Sequence, residues 1–79
     1  MEPRKWRWVS RDDRSNMLDV WDSEEKPEWE DGYFCSEDDD HGFTPICCKG
    51  FRALFGIDIK PGTCVRVEFT AKVLEDGTP

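Results

Sequence analysis

Apolar and polar residues alternate near both ends of the chain and lose that period in the middle. Residues 5–10, Lys-Trp-Arg-Trp-Val-Ser, are rich in strand formers and put Trp6 and Trp8 on one side. Asp12-Asp13-Arg14-Ser15-Asn16 is a polar turn cluster. Met17-Leu18-Asp19-Val20-Trp21 then resumes a strand, the expected hairpin partner of the first. Leu18 and Val20 point one way, Met17 and Trp21 the other. Residues 22–30 are charged, contain Pro27 and read as an irregular connection. Trp29, the one large apolar residue there, is expected to pin it to the body. Asp31-Gly32 is a strong two-residue turn signal. A short strand at Tyr33-Phe34-Cys35 and an exposed acidic loop over residues 37–42 follow.

Thr44-Pro45 predicts the start of a helix, with Thr44 capping the first amides and Pro45 in the first turn. Ile46, Cys47, Gly50, Phe51, Leu54 and Phe55 fall on one stripe at helical spacing, and Gly56 suits a left-handed stop. After the Pro61-Gly62 turn, residues 63–74 hold the longest alternation. Val65, Val67, Phe69, Ala71 and Val73 are expected to be buried against Phe51, Leu54 and Phe55. Cys64, Arg66, Glu68, Thr70 and Lys72 should face water. The element order β-β-(β)-α-β predicts a small α+β fold, an antiparallel sheet of three to four strands with one helix packed on a face. Residues 63–74 should be central or paired with residues 6–10. Residues 1–79 read as a single compact domain with a frayed tail at 75–79.

A chain of 79 residues buries only about 60–65% of its unfolded surface, so stability should be modest. Four Trp and five Phe nonetheless supply enough apolar area to argue against a disordered chain. No apolar run approaches the roughly 20 residues of a membrane span. Met1-Glu2-Pro3-Arg4-Lys5-Trp6 has no apolar stretch after its bases, which predicts no secretory signal and a cytoplasmic location.

That compartment favours free thiols at Cys35, Cys47, Cys48 and Cys64 over two disulfides. Cys35, His41, Cys47 and Cys48 are zinc-ligand types, but they lack a Cys-x-x-Cys knuckle, and adjacent helical residues point about 100° apart. No metal and no cofactor is therefore expected. His41, the only histidine, has no nucleophile and orienting group at recognisable spacing, so no catalytic residue is assigned. Asp38-Asp39-Asp40-His41-Gly42 lacks the spaced ligands of an EF-hand. The bases Arg4, Lys5, Arg7, Arg11 and Arg14 interleave with Trp6 and Trp8 as in a strand-stacking surface. The net charge of −7 opposes direct nucleic-acid binding.

The acidity is regional. Residues 17–44 carry eleven carboxylates against Lys26 alone, while residues 1–16 and 45–74 are mildly basic. One reading is a solvated segment that keeps a small protein soluble. The sharper reading is a partner-binding face made of Asp22, Glu24, Glu25, Glu28, Trp29, Glu30, Asp31, Glu37, Asp38, Asp39 and Asp40. Its carboxylates would imitate a row of phosphates and its aromatics would anchor the contact.

The chain also resembles the small acidic accessory proteins of bacteriophages and prophages. The likeness lies in its Trp-rich opening strand, in Lys26-Pro27-Glu28-Trp29-Glu30-Asp31-Gly32-Tyr33-Phe34, and in Phe51-Arg52-Ala53-Leu54-Phe55-Gly56-Ile57-Asp58-Ile59-Lys60-Pro61-Gly62-Thr63. Proteins of this style include anti-CRISPR inhibitors and DNA mimics. The resemblance implies a host-interaction role and carries over no active-site residue. The resulting expectation is a non-enzymatic module that occupies the basic groove of a nucleic-acid-binding host protein. The alternative is a small structural module, zinc-stabilised or not, within a larger phage or host assembly.

Overall fold

A computed structural model describes residues 5–36 and 42–78. Seven elements follow one another: β1 (Trp6–Arg11), β2 (Met17–Trp21), β3 (Glu28–Glu30), β4 (Tyr33–Cys35), β5 (Phe43–Cys47), α1 (Cys48–Phe55) and β6 (Thr63–Glu68). Four strands form an antiparallel sheet in the order β5-β2-β1-β6, and β3 and β4 form a separate two-stranded ribbon. This is the expected α+β fold.

The register sorts the side chains. Val9 lies opposite Val20 on β2 and Val65 on β6, and Leu18 lies opposite Ile46. Side chains directly opposite share a face, so these residues build one apolar layer. Val9, Leu18 and Val67 join Phe51 of α1 and Ile59 of the following loop in the core, with Val20, Ile46, Cys48, Ile57 and Phe69 packed around them. Arg11, on the same face, is tied down by donating from Nε to the Ser15 carbonyl and from Nη1 to the Ile59 carbonyl.

The helix begins later than the Thr44-Pro45 signal predicts. Phe43–Cys47 is a strand, paired with β2 from Trp21↔Phe43 to Met17↔Cys47. Pairing with β2 and burial of Ile46 beside Leu18 outweigh a local capping preference. Pro45 is accommodated because β5 is an edge strand, where a missing N–H is tolerated. Of the predicted helical stripe only Phe51 is buried; Leu54 is 71% exposed. The predicted stop holds. Gly56 adopts φ 68° and donates its N–H to the Arg52 carbonyl at 2.8 Å.

β6 is shorter than expected. It pairs with β1 over its whole length, one of the two expected arrangements, lies at the sheet edge and ends at Glu68. The paired residues run to Glu68 opposite Trp6, and beyond them Phe69 donates its N–H to the Lys5 carbonyl, although the alternation continues to Val73. Val67 is buried and Phe69 packs on Phe51 and Phe55, whereas Val65, Ala71 and Val73 are exposed. Within the described residues no helix is long and apolar enough to cross a membrane.

Candidate partner-binding surface

The other face of the sheet carries Trp6, Trp8, Ser10, Asp19, Trp21, Cys64 and Arg66, as the register requires. The acidic segment covers part of it. Trp8 donates its indole N–H to the Glu24 carbonyl at 2.9 Å, and the Lys26 ammonium lies over the Trp8 ring. Trp21 donates from Nε1 to the buried Ser10 hydroxyl at 2.8 Å. Ser23, Pro27 and Phe34 are buried along with them. Residues 22–30, read from sequence as irregular, thus include a strand and form part of a second, smaller packed layer.

The Arg66 guanidinium stacks over both Trp6 and Trp8, 5.0 and 5.8 Å from their ring centroids. Arg7 and Arg11 project from the opposite face, by alternation along β1. The interleaved bases and tryptophans of the first strand are therefore divided between two faces of the sheet and do not form one stacking platform.

The ribbon is turned by Asp31 at φ 47° and Gly32 at φ 99°, the two positive-φ positions of a tight hairpin turn. Trp29 and Phe34 are opposite each other and pack edge to face with centroids 4.9 Å apart. Phe34 points to the body, and Trp29 remains 48% exposed. Two hydrogen bonds clamp the ribbon to the β1–β2 turn: Phe34 donates its N–H to Asp12 Oδ1, and Asp13 donates its N–H to the Gly32 carbonyl, each at 2.9 Å. Glu28, Glu30 and Tyr33 are on the outward side, where Cys35 donates its thiol hydrogen to Glu30 Oε2.

Of the residues expected to bind a partner, Asp22, Glu24, Glu25, Glu28, Trp29, Glu30 and Asp31 are all exposed. Glu37, Asp38, Asp39 and Asp40 lie outside the described residues, as does His41. Tyr33 is one of the aromatics interspersed in the acidic segment, with Trp21, Trp29 and Phe34. It is 46% exposed at the same tip, and Glu30 foremost, then its partial burial, Cys35 and Asp31, push its phenol pKa upward. That shift reports a negative field at the ribbon.

Asp19, another carboxylate of the acidic segment, is in β2. It sits between Ser10 and Pro45 on the covered face, and burial, reinforced by Asp12, pushes its pKa up to about 6. An acid whose folded pKa is raised favours the folded state below its unfolded value of 3.8 and loses that contribution as pH rises toward 6. Asp19→Asn should therefore stabilise the protein at pH 7 by about 1 kcal/mol after allowance for solvent screening, about 4–8 °C in Tm. Thermal melts should show the gain disappearing by about pH 4, where both side chains are uncharged.

The cysteines have different surroundings. Burial pushes Cys64 up to about 11, against the opposing charge of Lys26. Cys47 precedes α1, and the amides of Gly50 and then Lys49 lower its pKa, although neither closes a full capping bond on the sulfur. Among the described residues no three His, Cys, Asp or Glu side chains converge with metal-binding geometry. No protein-family model matches the chain, and no curated protein or solved structure matches it.

Proposed function

We propose that this protein is a non-enzymatic binding module of the phage-inhibitor type, working in the host cytoplasm. Its acidic ribbon occupies the basic groove of a nucleic-acid-binding host protein. The observation that carries this reading is the ribbon itself. Its outward face carries Glu28, Glu30 and the half-exposed Tyr33, Asp31 is at its turn, the half-exposed Trp29 is on its other face, and two hydrogen bonds fix its tip to the β1–β2 turn. Anchored carboxylates need less ordering on binding than a flexible tail, and aromatics supply the buried contact that charge alone lacks.

Charge steers association and salt screens it, with a Debye length of about 10 Å at 0.1 M. A nucleic-acid-binding protein retained by the immobilised domain at low salt should be released by added duplex DNA and by about 0.5 M salt. Simultaneous binding of DNA and this domain to that partner, or retention indifferent to salt, refutes the proposal.

A further inference from the structure

We propose that the cleft between the β1–β2 turn and the tip of the β3–β4 ribbon is a guanidinium site that receives one arginine side chain of the partner. The inference rests on the reading of the ribbon as a docking surface and specifies what it recognises. The cleft is open to solvent, has a volume of about 600 Å³ and is lined by Asp12, Asp13, Arg14, Trp29, Asp31 and Tyr33, with Ser15 and Gly32 between them.

Its walls are fixed to each other by the Asp13–Gly32 and Phe34–Asp12 hydrogen bonds. The Trp29 ring and the Asp13 carboxylate converge on Gly62, where a side-chain carbon would lie 3.6 Å from Trp29 Cη2 and 3.8 Å from Asp13 Oδ1. An indole edge and a carboxylate thus share one small region. Asp12 spends one oxygen on the Phe34 amide. The carboxylates of Asp13 and Asp31 form no ion pair or hydrogen bond among the described residues. Three carboxylates against the single guanidinium of Arg14 leave the cleft with net negative charge.

That combination selects the ligand. A divalent cation needs converging oxygens, and no such group exists among the described residues. A neutral ligand would leave carboxylates facing it without compensation. A guanidinium is planar, weakly hydrated and always charged. It can lie on an aromatic ring while its N–H fork pairs with a carboxylate. An ammonium pairs as a point charge and stacks less well, so arginine should be preferred over lysine.

The probe is a five-residue peptide with one central arginine between glycine and serine residues, compared with its lysine counterpart. Two-dimensional amide NMR should show saturable shifts at the Trp29 indole and the Asp13 and Gly32 amides. Lysine should bind roughly three- to tenfold more weakly. Asp13→Asn combined with Asp31→Asn should weaken the arginine peptide by a similar factor. Asn tolerates the positive φ of position 31, so the turn should persist, and an otherwise unchanged spectrum verifies it. Tyr33→Leu, exposed and outside the core, should also lower affinity.

Equal binding of the two peptides overturns the inference, as do the absence of saturation and shifts that survive the double substitution. If the peptides fail while a partner is still released by duplex DNA, the cleft assignment falls alone. If the arginine peptide binds as expected but no DNA-displaceable partner exists, the wider functional reading falls and the guanidinium site stands.

Discussion

Phe51→Ala should destabilise the protein by about 3–5 kcal/mol, because a fully buried aromatic leaves both lost transfer energy and a cavity. Phe51 is 1% exposed and belongs to the cluster of Val9, Leu18, Ile59 and Val67. It also packs against Phe55 and Phe69, with centroids 4.9 and 6.1 Å away. It is the only fully buried residue of α1, whose remaining packing is by the partly buried Cys48 and by Phe55 on Phe69. A chain of this length has a total stability of roughly 4–12 kcal/mol, so the variant should be close to unfolded at room temperature. Urea denaturation followed by tryptophan fluorescence measures the loss as a fall in midpoint at constant slope. Leu54→Ala is the control: on an exposed position it should change stability by no more than about 0.5 kcal/mol. Similar costs at Phe51 and Leu54 would mean that the helix packs through a different face.

Reversing Glu25, Glu28 and Glu30 to Lys should weaken association with a basic partner by roughly 10- to 100-fold at low salt, mostly through a slower association rate. These three side chains are exposed, and Glu30 also accepts the Cys35 thiol hydrogen across the ribbon. Asp31 is excluded from the set because a lysine would be strained at its positive φ. Reversing Glu68, Glu75 and Asp76 changes the net charge equally but away from the ribbon, and should have much less effect. Stopped-flow association at several salt concentrations separates the two sets. The difference between them should shrink as salt rises. Equal effects of the two sets would reduce the acidic segment to a contributor to net charge, and the phosphate-mimic reading would be lost.

Where local chemistry sufficed, the structure agrees with the sequence. The Asp31-Gly32 turn follows from two residues that tolerate positive φ, and Gly56 ends the helix for the same reason. The β1–β2 hairpin follows from two alternating runs around a polar cluster. Where two local signals competed, pairing partners decided. Thr44-Pro45 is a good helix opening in isolation, but β2 offers a strand edge and Leu18 an apolar neighbour for Ile46. Residues 63–74 alternate throughout, yet a strand needs a partner, and among the described residues the ladder with β1 runs only to Glu68.

The binding surface divides in the same way. Sequence alone determined that acidity is concentrated in one segment with aromatics interspersed, because charge is a property of residue identity. It also determined the α+β class, the hairpin turn and the helix stop, each set by short-range backbone preference. Only the tertiary structure decided that this segment folds back over the Trp8 and Trp21 face, with Phe34 inward and Trp29 and Tyr33 at the rim. Only it brought Asp12 and Asp13 to the ribbon tip, nearly twenty positions away in sequence, and placed Asp19 where burial raises its pKa. Those contacts join segments with no shared local pattern. They arise from burial of aromatic area and from main-chain groups that must find hydrogen-bond partners once water is excluded.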